Sequence, residues 1–157
     1  IVAEDGREFY AESSEVDLLR ANPWVIENVV PHLWSAQKEK REHNAWIRDG
    51  GTGGLLYRRE IASKIERFCE PGTYGKPEFW GYYSDYDWVV LCQLFGPMVE
   101  LPKDWPMYAY DLRQWLNHKG LTGVRQPDDM PHNSLSDARW IAETYRRYAG
   151  ELVGGDN

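Results

Sequence analysis

No stretch of this chain comes near the 18 or so consecutive apolar residues that a membrane-spanning helix needs, so no membrane partner is expected. Cysteine is scarce, with Cys69 and Cys92 the only two in 157 residues. Two thiols without Cys or His at ligand spacing exclude a disulfide scaffold and a thiolate zinc site. Reduced thiols in an intracellular, cytoplasmic protein are the simple reading. An excess of positive charge is absent too: 18 Lys and Arg face 25 Asp and Glu, a formal net charge of −7. A broad basic face for duplex nucleic acid is therefore not expected. An enzyme that grips one strand end through a divalent ion stays open, because the ion itself brings positive charge. The chain also lacks an initiating Met and a signal-like start, and Ile1 opens in what reads as mid-strand, so an upstream segment is expected and secretion is not.

Aromatic residues are plentiful, at 14% of the chain with eight Trp. The length suits one domain, residues 1–157, which would bury roughly 68–70% of its unfolded surface. Asp5-Gly6 between Ile1–Ala3 and Arg7–Ser13 predicts a hairpin. Pro23 opens a short helix to about Val30. Residues 35–54 are polar, end in a glycine-rich run and read as a long loop or flap. Leu55–Phe68 carries apolar residues at helical spacing, Glu78–Tyr83 reads as an aromatic strand, and Ser84–Phe95 as a helix apolar nearly all round that should be buried on most sides. Tyr108–His118 reads as a further helix, and His132 leads into a last one ending near Gly150. The order suggests an α/β domain with a mixed sheet.

Two places carry candidate chemistry. Asp87, in Ser84-Asp85-Tyr86-Asp87-Trp88, lies where a strand passes into a helix, the end at which open α/β sheets place ligands. Ser84-x-x-Asp87 also resembles a helix cap, and acids favour a first turn electrostatically. Asp137, in His132-Asn133-Ser134-Leu135-Ser136-Asp137, lies at the edge of an apolar stripe, where a carboxylate must be paired, capped or metal-bound. Ser134-x-x-Asp137 offers the same capping alternative. Five helical residues turn through roughly 500°, so His132 and Asp137 converge only if His132 lies on the entering loop, as Pro131 before it suggests. Asp85, Asp128 and Asp129 read as caps and loop acids, and His32, His43 and His118 as surface or packing residues. Trp88 and the Lys38–Arg41 stretch are more readily packing and solvated loop than substrate contacts.

Taken together, Tyr86-Asp87 before a helix and His132-x-x-x-x-Asp137 resemble the second and third motifs of DEDDh 3′→5′ exonucleases. The runs Val2–Tyr10, Leu91–Met98 and Asp111–Gln114 are similar to the actinobacterial 3′→5′ exoribonuclease group related to ribonuclease T. Only residues 35–54 find no match. The family's first motif, Asp-x-Glu, occurs nowhere in the sequence; the family's layout places it just upstream of Ile1, so the domain is expected to be N-terminally incomplete. The resemblance implies a ribonuclease H-like mixed sheet flanked by helices, lacking its first strand. It implies Asp87 and Asp137 as ligands of two Mg²⁺ or Mn²⁺ ions and His132 as the general base. It further implies release of nucleoside monophosphates from single-stranded RNA or a 3′ overhang, with DNA as an alternative substrate and a homodimer as a family expectation. Without Asp-x-Glu the chain alone should be inactive. The rival readings are a catalytically defective nucleic-acid-binding domain of the same fold, and an unrelated interaction domain in which all three residues are caps.

Overall fold

A computed structural model of the protein describes residues 1–36, 55–128 and 132–150. The expected loop at 35–54 therefore falls almost wholly outside the described residues, as do Asp129, Pro131, His43 and the Lys38–Arg41 stretch. The N-terminal hairpin forms as the Asp-Gly pair predicts. Val2 and Glu8 bridge in antiparallel fashion, and Gly6 takes a φ of +89°, which a residue with a side chain rarely adopts. The chain continues into strand β1 (Glu12–Ser13), helix α1 (Pro23–Asn28) and a 3₁₀ turn at Val30–His32. Asn22 caps α1 by accepting the Trp24 amide, with Pro23 at the first helical position.

Strand β2 (Leu55–Leu56) pairs in parallel with β1. It occupies the start of what helical spacing had predicted as one long helix; helix α2 spans only Arg58–Phe68. The break is held from both sides, one contact local and one from far along the chain. Glu60 turns back to accept the Tyr57 amide at 2.9 Å, and Glu15 accepts the Arg58 amide at 2.6 Å, which closes the helix start from outside. The apolar face of α2, Ile61 and Ile65, packs with Phe9 of the hairpin and with Trp105 as the main core. Short helix α3 (Pro71–Tyr74) follows, and then strand β3 (Trp80–Gly81), helix α4 (Ser84–Cys92), strand β4 (Tyr110–Asp111) and helix α5 (Leu112–His118). β3 and β4 are parallel, with Trp80 opposite Tyr110 and Gly81 opposite Asp111. The helix predicted from Tyr108 thus starts four residues later, because Tyr110 and Asp111 extend to pair with β3. Helix α6 (Ser134–Gly150) closes the described chain.

The architecture is α/β, with helices and two separate two-stranded parallel sheets among the described residues. None of the described helices is long and apolar enough to cross a membrane. One expectation fails clearly. Helix α4 is not covered on most sides: Tyr86 is 82% exposed, Val89 54% and Val90 62%. An all-round apolar sequence removes a helix's polar face but cannot supply the surfaces to cover it. Here only the side carrying Trp88, whose ring lies 5.1 Å from that of Phe79, meets neighbouring residues of the aromatic core. That contact also settles Trp88 as a packing residue.

Cys69 and Cys92 are free thiols; burial pushes Cys69 up to about 11, too high for a reactive thiolate. The most deeply buried side chains are Leu112 and Leu116, both at 0% exposure and one turn apart on α5. Truncating a buried Leu removes its transfer energy and leaves a cavity. Leu116→Ala is therefore expected to lower stability by about 2–5 kcal/mol in urea unfolding, and a loss below about 1 kcal/mol would show that the α5 core can collapse around the gap.

Candidate active site

The turn between β3 and α4 is built to bring the helix close against the strand. Tyr83, at the helix N-cap, is in the left-handed region (φ 59°, ψ 50°) and gives no side-chain cap. A Cβ placed on Gly81 would lie 2.7 Å from the Ser84 Cβ, 3.0 Å from the Ser84 Cα and 3.7 Å from Asp87 Oδ2. Glycine is thus required for α4 to approach, and the space its missing side chain leaves is faced by the Asp87 carboxylate. The sequence reading in which Ser84 caps and Asp87 closes a capping box is not what forms. Ser84 lies inside the helix, and its amide donates 2.7 Å to Asp111 Oδ2, across the sheet on β4. Asp87 is left out of the capping network.

Asp137 is likewise no cap. Asn133 does that work, its Oδ1 accepting the amides of Leu135 and Ser136 at 3.1 and 3.3 Å. Gln126 Nε2 instead donates to Asp137 Oδ1 at 2.5 Å. His132 sits on the entering bend, two residues before α6, as convergence with Asp137 demands. The Trp24 ring of α1 meets the His132 ring edge-on at 5.1 Å. Asn133 Nδ2 donates to the His32 carbonyl at 3.2 Å, and the two contacts dock the α1 region onto the start of α6.

The electrostatics link these residues in a chain. Lost hydration, and to a lesser degree the charge of Asp137, raises the Asp87 pKa above the usual carboxylate value. Lost hydration also raises Asp137, opposed by the Gln126 hydrogen bond and the nearness of His132. A carboxylate whose charge is opposed by a second one, as Asp87 is by Asp137, is suited to a cation. Their oxygens are the hard ligands that Mg²⁺ or Mn²⁺ prefers. Among the described residues, however, no three His, Cys, Asp or Glu side chains gather closely enough to hold an ion together. Asp87 and Asp137 fit one side of a metal site; His132 stands next to Asp137 rather than inside a three-ligand group. Two surface cavities, of about 340 and 350 Å³, are lined by Val2, Glu8 and Arg139 in one case and by Trp80, Tyr110 and Trp115 in the other, and neither Asp87 nor Asp137 lines them.

Asp111, although part of a run that carries the family resemblance, was given no role from the sequence, and Gln126 was not singled out at all. Asp111 carried a usable signal, since Asp111-Leu112-Arg113-Gln114 has the form of a helix start. The helix expected from Tyr108 hid it. Gln126 lies on a loop 11 residues from Asp137, and no local pattern marks that pairing.

An α/β domain that sets two uncapped carboxylates at the starts of separate helices, with a histidine beside one, defines a candidate acid-rich hydrolytic centre. The family described as the 3′-5′ exoribonuclease Rv2179c-like domain matches residues 1–148, and the chain belongs to it. Two proteins named 3′-5′ exoribonuclease, from Mycobacterium tuberculosis strains CDC 1551 / Oshkosh and ATCC 25618 / H37Rv, are each 36% identical over 140 residues, which is 88% of this chain and 74% of theirs.

The raised Asp87 pKa has a definite sign. A carboxyl that binds its proton more tightly in the folded chain than in the unfolded one makes the fold less stable as pH rises through the raised value. Without metal, Asp87→Asn is expected to unfold at a slightly higher temperature than the parent near pH 7. The gap should narrow as pH falls through the ordinary carboxyl value and close below about pH 3, where the acid is largely neutral in both states. Thermal unfolding in chelator at both pH values measures it, and an Asp87→Asn midpoint below that of the parent at neutral pH would contradict the assignment.

Proposed function

We propose that this chain belongs to a metal-dependent 3′→5′ exoribonuclease that removes nucleoside monophosphates from single-stranded RNA or a 3′ overhang. The observation that carries the reading is the Asp87–Asp137 pair, in which neither carboxylate caps its own helix and the charge of Asp137 is felt at Asp87. Membership of an exoribonuclease family supports RNA as the substrate, with DNA the alternative. The proposal includes a ribonuclease H-like sheet of the DEDDh type, a cytoplasmic location and a homodimer.

In this reading Asp87 and Asp137 hold one face of a two-ion Mg²⁺ or Mn²⁺ site. Such ions, when bound, activate water and offset the charge that builds on a departing 3′ oxygen. Asp-x-Glu, absent from this sequence, would complete the ligand set. His132 is the proton acceptor for the attacking water, a task that suits an imidazole on the bend entering α6. Gln126 donates to one oxygen of Asp137 and so restrains the carboxylate that would take part in holding an ion. Trp24 restrains the His132 ring through the edge-on contact.

A 5′-labelled single-stranded RNA should be shortened stepwise from its 3′ end by the full-length protein with Mn²⁺ or Mg²⁺, and not in chelator. Asp137→Ala should abolish the ladder, and His132→Asn should lower kcat by about 10²–10⁴. A full-length protein that binds the RNA without cutting it would favour the catalytically defective binding domain instead, a reading to which the two-carboxylate set lends some weight.

A further inference from the structure

We infer that Asp111 is a positioning residue for Asp87, acting through the first turn of α4; the inference rests on the functional reading above. Three observations meet at this residue. Asp111 lies opposite Gly81 in the parallel β3–β4 register, directly beside the strand from which the turn departs. Its two carboxylate oxygens are divided between two helices. Oδ1 accepts the Gln114 amide at 2.7 Å and caps α5 as an ordinary N-cap residue would, whereas Oδ2 accepts the Ser84 amide at 2.7 Å and so ties down α4. The α4 N-cap position, Tyr83, supplies no side-chain acceptor of its own, and its left-handed backbone needs surrounding structure to hold it.

The consequence for Asp87 is geometric. Ser84 and Asp87 are three residues apart in one helix, so they share a face and move together. Fixing the Ser84 amide sets the rotation and height of the first helical turn over Gly81. That in turn fixes Asp87 Oδ2, which stands 3.7 Å from where a Gly81 Cβ would be. Asp111 is engaged through both oxygens by backbone amides, so its direct work is to hold the two helix starts. The orphan amides at two helix starts are thus satisfied by one anion, a placement the helix dipoles favour.

Asp111→Ser separates the two tasks. Serine is a good N-cap, so it keeps the α5 cap, but its single short hydroxyl cannot also reach the Ser84 amide. In the full-length protein, Asp111→Ser is expected to keep its helical circular dichroism. Its Mn²⁺ affinity, by calorimetry, should fall about 10–100-fold, the usual effect of removing a group that orients a ligand. Activity should recover toward the parental kcat as Mn²⁺ is raised, a split that lost stability alone would not give. In the unaltered protein the Ser84 amide should exchange slowly with deuterium, alongside that of Gln114; this arm requires no variant to fold. Parental Mn²⁺ affinity in folded Asp111→Ser, or a Ser84 amide exchanging as freely as an open loop, overturns the inference while leaving the enzyme reading intact. If the unaltered protein binds no Mn²⁺ in an Asp87-dependent manner, the functional reading itself fails, and the positioning role falls with it.

Discussion

The β3–β4 pairing is the constraint on which the candidate site depends. Two short parallel strands place Gly81 opposite Asp111. Gly81 then lets α4 approach to a distance at which any side chain would collide with Ser84, and Asp111 anchors the amides that this approach brings within reach. Two unsatisfied helix starts would each leave several N–H groups seeking partners. Gathering one amide from each onto a single carboxylate converts that need into a rigid junction. Asp87 is carried by the junction without contributing to it, which leaves its own carboxylate free for an ion.

The second half of the site is assembled by different means. Asn133 caps α6, and the same side chain reaches the His32 carbonyl, so the cap and the docking of the α1 region are one arrangement. Trp24 comes with that region and rests its ring against His132. The two halves are packed together by Trp80 against Tyr145 and Tyr82 against Trp140, and their carboxylates are linked through the repulsion that Asp137 exerts on Asp87. Partial dehydration makes that repulsion felt, and a divalent cation would reverse its sign.

The aromatic content serves packing first. Trp80 stacks on Tyr110 across the β3–β4 pair at 4.8 Å and lies 4.5 Å from Tyr145 of α6, binding the sheet to the last helix. Phe79 and Phe95 both lie against Trp105 in the main core. Large rings allow a small protein to bury much area with few residues.

Local chemistry was legible in the order of residues. The Asp-Gly hairpin, the Pro23 helix start, the α/β class and the placing of Asp87, His132 and Asp137 at the openings of two helices all follow from turn propensity, spacing and motif. Those are short-range properties, carried by neighbours in the chain. Three features were not legible. Leu55–Leu56 and Tyr110–Asp111 are strands because partners far along the chain extend them, although helical spacing ran straight through both. The outer face of α4 is exposed because burial depends on an opposing surface, which periodicity does not encode. Whether Asp87 and Asp137 cap their own helices was undecidable from Ser-x-x-Asp alone. It was decided by Asp111 and Asn133, which take the capping role: Asp111 from 27 residues away in sequence but the next strand in space, Asn133 from the residue before α6. The sequence by itself therefore determined which residues could do chemistry. The tertiary structure decided which of them were released from capping, because a hydrogen-bond acceptor brought in from elsewhere makes a local one unnecessary.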